Sequence, residues 1–396
     1  MINRRNLIGQ GVVAAGVFSS IASWARASTG HGPRVVIVGG GILGVSLAYH
    51  LSMLGARVVV LDRERGPGRG CTQGAFATLI ADHSSGPAHF SALYDHAVLD
   101  WRRLEAELDG RVAVQWGGLL RWARAGAASE ALEQELMAAR GLGALARRVD
   151  EAAFSVLAPG VAPGEIGAAS FSPNYGTVDP MQAVSALAEG AHARGVDFRY
   201  GVEVRGLQRD ASGRIVAVES ADGPVDGDVY VLASGAGAPA LAETVGARAP
   251  MRLVSGTLAH SRPHPRVLSR VLNGPEASIK QDPDGCIVTG LDYRPDADGT
   301  DVSEAYGERL LASAAETVPG MRGARLDKMT IGYVPIPEDT QPIVGFNPTA
   351  PNLYTFVSMS GITMAPLLGR LASWEIATGE SVSLLGPYRP SRFSAA

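Results

Sequence analysis

"RVVIVGGGILGVSLAYHLSMLGARVVVLD" occupies residues 34–62, and its order of residue types dictates a strand, a tight turn, a helix and a second strand. Residues 34–38 are a β-branched apolar run, the pattern of a strand buried on both faces of a parallel sheet. Gly39, Gly41 and Gly44 then supply G-x-G-x-x-G; a helix is expected over 42–55, and a second apolar strand over 58–61 ends in Asp62, 18 residues past Gly44. Gly39 permits the tight turn, Gly41 lets the backbone approach a pyrophosphate, and Gly44 allows close contact between helix and strand. Ile42 and Leu43 open the helix, whose unpaired N–H groups and dipole favour an anion. Asp62 is placed to accept hydrogen bonds from ribose hydroxyls. The stretch predicts a dinucleotide site.

The residues before it have a different character. Arg4 and Arg5 lead into an apolar run over 12–22, dotted with Gly and Ser, and then Ala25, Arg26 and Ala27. A charged region, an apolar region and an A-x-A site read as a cleavable twin-arginine export signal over 1–27. An uncleaved anchor is the alternative, but the run falls short of the ~20 residues a membrane span needs, and Gln10 and Gly11 interrupt its approach. The expected destination is the periplasm, with the twin-arginine translocase as partner. That route carries folded proteins, so a tightly held flavin suits it better than a dissociable nicotinamide.

Composition narrows the field further. The 396 residues are 46% hydrophobic, with 35 basic and 39 acidic side chains and a formal charge of −4. Without residues 1–27 the balance becomes 32 against 39, or −7, and no basic block suggests nucleic acid. Cys71 and Cys286 are the only cysteines. An oxidising compartment permits one disulfide between them, although two distant cysteines are more often unpaired. Neither they nor the histidines have metal-ligand spacing, so no metal is expected.

After Pro67 comes a turn-like loop in which Thr72, Gln73, Gly74 and Ala75 are small or polar enough to face phosphates or a ring. Helices are expected over 91–108, 130–146 and 180–194, the last capped by Asp179 with Pro180 at its first position. Strands are expected over 202–207 and 215–219, and a buried strand over 228–232 returns to the nucleotide sheet. Residues 252–330 read as a separate, mainly antiparallel lobe. A strand over 353–357 and "SGITMAP" then bring a second helix N-terminus late in the chain.

With these pieces in order, the chain resembles the FAD-dependent D-amino acid oxidase superfamily, the group that includes glycine oxidase, sarcosine oxidase and D-amino acid dehydrogenase. The resemblance rests on "VVIVGGGILGVSLAYHL", "GTVDP", "GDVYVLASGAG", "PIPEDTQPIVG" and "SGITMAP". It implies an α/β fold: a Rossmann-like FAD-binding domain, as in glutathione reductase, with a second, mainly antiparallel substrate domain. The expected division is 33–90, 150–250 and 331–390 for FAD, and 91–149 and 251–330 for substrate. Position by position it implies Gly39 to Gly44 at the pyrophosphate, Asp62 at the adenosine ribose, and Arg63 and Val204 beside the adenine. Thr72, Gln73, Gly74 and Ala75 would lie along the phosphates and flavin, with Ser234 and Gly235 near the dinucleotide. Gly361, Ile362, Thr363 and Met364 would point the late helix at the flavin, where its dipole stabilises negative charge.

The implied reaction is hydride transfer from a carbon bearing nitrogen, giving an imine that water hydrolyses, with oxygen or a quinone-linked acceptor taking the electrons. One departure from the family pattern matters. Where amino-acid-oxidising relatives place an arginine that clamps the substrate carboxylate, this chain has Val334. Either another cation substitutes, with Lys280 and Arg252 as candidates, or the substrate is an amine without that carboxylate. Ser360 also departs, standing where relatives often have histidine. His83, Lys280, Tyr333, Val334 and Ser360 are the pocket candidates, with His83 and Lys280 read more readily as a loop histidine and an exposed strand lysine. Cys71 lies too near the phosphates to tether the flavin. Competing functions are a 2-hydroxy acid dehydrogenase on the same scaffold and a non-catalytic flavin-binding protein.

Overall fold

The structure, a computed structural model, describes residues 32–290 and 299–393. The export signal expected over 1–27 lies outside the described residues. The strand Arg34–Val38 sits inside a six-stranded sheet ordered Ile343–Asn347, Ala350–Val357, Val229–Leu232, Arg34–Val38, Arg57–Asp62, Asp197–Tyr200. All neighbours pair in parallel except the first two. Val35 to Val38 are buried because both faces of the sheet are covered.

One face carries the helices Ile42–Met53, Pro180–His192, Ala88–Glu107 and Gly361–Thr378, which share one core with the sheet. Ile42–Met53 is apolar nearly all round because it is enclosed by sheet and helices. It meets Gly361–Thr378 closely: a Cβ on Gly369 would stand 2.5 Å from Ser46 Oγ, and that hydroxyl donates to Ala365 O at 2.7 Å. Asp179 caps Pro180–His192 by accepting from Met181 N at 2.8 Å, as the Asp-Pro pair predicts. The other face is covered by the small antiparallel sheet Val204–Arg209, Ile215–Ser220, Gly223–Asp226 and the helix Ala238–Glu243.

The second lobe is built on an eight-stranded sheet: Leu326–Pro337, Met251–Ser261, Ile287–Gly290, Ser278–Gln281, Val271–Asn273, Leu119–Ala123, Ala168–Ser172, Arg147–Arg148. It is antiparallel apart from the pair Val271–Asn273 and Leu119–Ala123.

The chain crosses between lobes at other places than those drawn from sequence. Ala168–Ser172, expected in the FAD-binding part, hydrogen-bonds along Leu119–Ala123 in the eight-stranded sheet. Leu326–Pro337 runs unbroken past residue 331 because it pairs over its whole length with Met251–Ser261. Conversely, Ala88–Glu107 extends past 91 into the intended substrate part, yet buries Leu93, Trp101 and Leu104 in the core of the first lobe.

Candidate cofactor and substrate cleft

A cleft of about 960 Å³ runs between the two lobes, lined by the glycine turn, the loop before residue 80, the start of the late helix and one face of the eight-stranded sheet. At the glycine turn the sequence leaves little choice of residue. Gly39 has φ +114°, and a Cβ there would lie 2.5 Å from Ala233 O. A Cβ on Gly44 would lie 2.0 Å from Gly39 O, so Gly44 does not line the cleft but allows the turn to fold against its own helix. Gly41 is different: its Cβ would meet only Thr72 Oγ1, at 3.5 Å, leaving open space over the helix N-terminus.

Asp62 ties this turn together. Its Oδ2 accepts from Gly40 N at 2.5 Å and its Oδ1 from Glu64 N at 2.8 Å, while burial raises its carboxyl above the ordinary value. Both contacts leave lone pairs toward the cleft that Asp62 lines. Thr72 Oγ1 accepts Ile42 N at 3.0 Å, so it caps the first helix and retains its own proton to donate. Arg63, Val204, Leu43, Ala75 and Gly235 also line the cleft. Gln73 does not; its amide turns back to donate to Arg69 O. Gly74 is likewise off the wall, where a Cβ would lie 2.2 Å from Ile331 O across the seam between lobes.

The late helix enters from the opposite side. Gly361, Ile362 and Thr363 line the cleft, whereas Met364 turns into the core and is fully buried. Thr363 Oγ1 accepts Ile80 N and donates to Thr78 O, both at 3.1 Å, pinning the loop to the helix start. Pro366 lacks the N–H that would serve Ile362 O, four residues before it. Trp101 Nε1 fills that gap at 3.0 Å, reaching Thr363 O at 3.1 Å as well. The helix start is thereby held in place with its N–H groups toward the cleft.

The substrate candidates divide. Tyr333, Val334 and Ser360 line the cleft, with Tyr333 half-exposed and Ser360 Oγ 2.6 Å from Tyr94 Oη. His83 does not: it stacks on Tyr94 at 4.2 Å and meets Phe90 edge-on, and burial lowers its pKa. Lys280, expected exposed, is only 1% exposed. Its strand is buried throughout, and Nζ is held by Asp282 Oδ1 at 2.8 Å and Val178 O at 3.0 Å, behind the Phe76 ring. Arg252 lies exposed on its strand, away from the cleft. Cys71 and Cys286 are both free thiols; burial raises Cys71, which works against a reactive thiolate beside the cleft. Sequence reading missed Arg121, Tyr175 and Phe76, all on the cleft wall. No local motif marks them; alternation within "LLRWA" is the single hint that Arg121 shares a face with Leu119.

The residues present fit a dinucleotide. Ser234 Oγ is buried on the cleft wall with no partner among the described residues, a donor and acceptor awaiting a polar ligand. Beside it the space over Gly41 is one that a side chain would fill. Gly39, Gly41 and Asp62 would hold the pyrophosphate and ribose, and Gly361 to Thr363 the flavin end.

Comparison with known proteins agrees with this geometry. The family model described as "DAO: FAD dependent oxidoreductase" matches residues 34–374. The chain is 27% identical to the bifunctional protein ThiO/ThiG of Synechocystis sp., over 91% of this chain but 54% of that protein, so it spans about half of that relative's length. It is 26% identical to the glycine oxidase of Bacillus licheniformis, over 85% of this chain and 90% of that one. The solved glycine oxidase of Geobacillus kaustophilus superposes with a TM-score of 0.82 at 23% identity, covering 92% of this chain and 100% of that one, a likeness of fold. Glycine turn, Asp62 carboxylate and late helix thus meet around one cleft, and the chain belongs to the DAO family of FAD-dependent oxidoreductases.

Proposed function

We propose that this chain oxidises the C–N bond of a small amine or amino acid, and that it does so outside the cytoplasm after export in folded form. The observation that carries the proposal is the convergence, on one cleft, of a dinucleotide-binding turn, a helix N-terminus and a sheet face available to a second molecule. The relatives named above include a glycine oxidase, which supports a C–N substrate. Bound FAD supplies the hydride acceptor. The chain's own residues do the rest. Phe76, Leu119, Leu258 and Val271 give the cleft apolar walls, which exclude water and favour an uncharged amine over its ammonium form. The N-terminus of Gly361–Thr378 provides backbone donors where negative charge develops. The substrate gives up a hydride and a proton, and the resulting imine takes up water to give a carbonyl compound and the freed amine or ammonia. Oxygen or a quinone-linked carrier then collects the two electrons.

The test is anaerobic mixing of the purified yellow protein with a panel of amines, amino acids and 2-hydroxy acids. Bleaching by an amine or amino acid is expected. Bleaching by hydroxy acids alone would replace the proposal with a hydroxy acid dehydrogenase, and bleaching by nothing in the panel would leave a flavin-binding protein without this activity. Export is tested by Arg4→Lys with Arg5→Lys, which is expected to leave the folded protein in the cytoplasm; unchanged periplasmic recovery would overturn the twin-arginine route.

A further inference from the structure

Cations are unevenly placed around the cleft. Arg63 and Arg205 line it near Asp62, each beside a carboxylate of its own, Glu64 at 3.5 Å and Glu203 at 3.3 Å. On the wall formed by the eight-stranded sheet, Arg121 is the only charged residue among the described residues. Register explains its surroundings. Arg121 pairs with Asn273, Asn273 with Ser278, Ser278 with Gly290, and Gly290 with Leu258, a single row across five strands whose members all line the cleft. Asn273 Nδ2 donates to Ser278 Oγ at 3.1 Å. The row is therefore cationic and polar at one end, and bare or apolar at the other. Two residues along, on the same face, Leu119 pairs with Val271 and is apolar throughout. Such a surface suits a small molecule with one anionic group and an apolar remainder.

The guanidinium has capacity to spare. Nη1 donates to Glu135 Oε2 at 2.7 Å, and no other donor of Arg121 has a partner among the described residues. Glu135 is itself half-exposed on the helix Ala127–Gly141, where water weakens its hold. A guanidinium carries five N–H donors in a planar fork, enough for a second carboxylate bound edge-on. Tyr175 lines the cleft nearby, and burial keeps its phenol protonated, adding an uncharged polar group to this corner. Neither Lys280 nor Arg252 is available to do this: Lys280 is locked behind Phe76 and Arg252 lies off the cleft.

We infer that Arg121 is the specificity-determining cation of the cleft, binding the carboxylate of an amino-acid substrate in place of the arginine that Val334 replaces. It does so from five strands away along the sheet. The inference rests on the C–N oxidation proposed above and deepens it by choosing amino acids over simple amines.

The test uses the FAD-loaded full chain as wild type, Arg121→Met, Arg121→Lys and Glu135→Gln, with flavin content per protein reporting that each variant is folded. Acetate, a carboxylate that cannot be oxidised, is titrated against the flavin spectrum, and kcat and KM are measured for an amino acid and its decarboxylated amine. Arg121→Met is expected to raise the acetate Kd and the amino-acid KM about 10- to 100-fold, with the amine KM almost unchanged. Arg121→Lys should recover part of the loss, and Glu135→Gln should tighten acetate by removing a competing carboxylate. Unchanged acetate affinity in Arg121→Met, equal losses for amino acid and amine, or a wild-type preference for the amine would overturn the inference. Acetate binding that depends on Arg121, in a protein whose flavin no amine or amino acid reduces, would uphold the anion site while refuting C–N oxidation.

Discussion

The two walls of the cleft are built from different materials. On the six-stranded side the groups facing a ligand are mostly backbone: the turn around Gly39 and Gly41, and the start of Gly361–Thr378, steadied by Asp62, Thr72 and Thr363. On the eight-stranded side they are side chains, Arg121, Asn273, Ser278 and Leu258, set beside one another by strand register. A backbone wall recognises what every member of a family shares, here a dinucleotide. A wall of side chains can be rewritten one residue at a time, and substrate choice resides there if Arg121 binds the substrate carboxylate as inferred above.

The sharpest way to probe this contrast is within the glycine turn. Gly44→Ala forces a Cβ to within 2.0 Å of Gly39 O, where only backbone can yield. It should cost at least about 3 kcal/mol of stability and abolish flavin retention. Gly41→Ala has room for its Cβ and should cost about 1 kcal/mol as a poorer helix cap, yet it too should lose flavin if the pyrophosphate occupies the space over the helix start, as the turn implies. Denaturant titration beside visible flavin absorbance separates the two. Flavin retained by Gly41→Ala would mean that the turn is merely structural.

Acidity tests whether the walls differ in stability as well as in chemistry. His50, beneath the first wall, has its pKa lowered to about 4 by burial; its Nδ1 meets Ser46 O at 2.8 Å and its Nε2 meets Arg103 at 3.2 Å. The neutral ring donates to the first and accepts from the second. The unfolded chain takes up this proton near pH 6.5 and the folded one only near 4, so stability falls as pH drops through that window, by about 2 kcal/mol between pH 7 and 5. His260, in the second lobe, is likewise lowered to about 4 by burial, so both lobes should weaken together. Melting temperatures at pH 7 and 5 for His50→Gln and the parent check this; equal losses in the two would remove His50 from the account.

The smallest effect belongs to the seam between lobes. Asp179→Ala deletes the cap of Pro180–His192 and should cost about 1 kcal/mol. Flavin content and kcat are expected to stay unchanged, since Asp179 is not on the cleft wall. A loss of flavin there would blur the distinction between the walls.

Legibility in the sequence follows the same division. Residues 34–62 announce their strand, turn, helix and second strand because the hydrogen bonds that define these elements are local or run between paired strands. Arg121 is invisible at that level, since its neighbours Asn273, Ser278 and Gly290 join it only through the register of five strands. Lys280 misleads for a related reason: a lysine in a short strand is usually exposed, but here Asp282 and Val178 O meet the ammonium in the interior. His83 follows the cofactor loop closely in sequence, yet its ring is claimed by Tyr94 and Phe90. The lobe boundaries went astray at Ala168–Ser172 and Ala88–Glu107 because their apolar patterns predict burial without saying in which core.

The helix that completes the cofactor end of the cleft comprises residues 361–378 and is fastened by Trp101, Ile80 and Ser46 to parts of the chain made hundreds of residues earlier. During synthesis the glycine turn is made long before this helix, so a cleft that needs both would hold flavin only after the two segments have met, and a yellow colour would report that meeting.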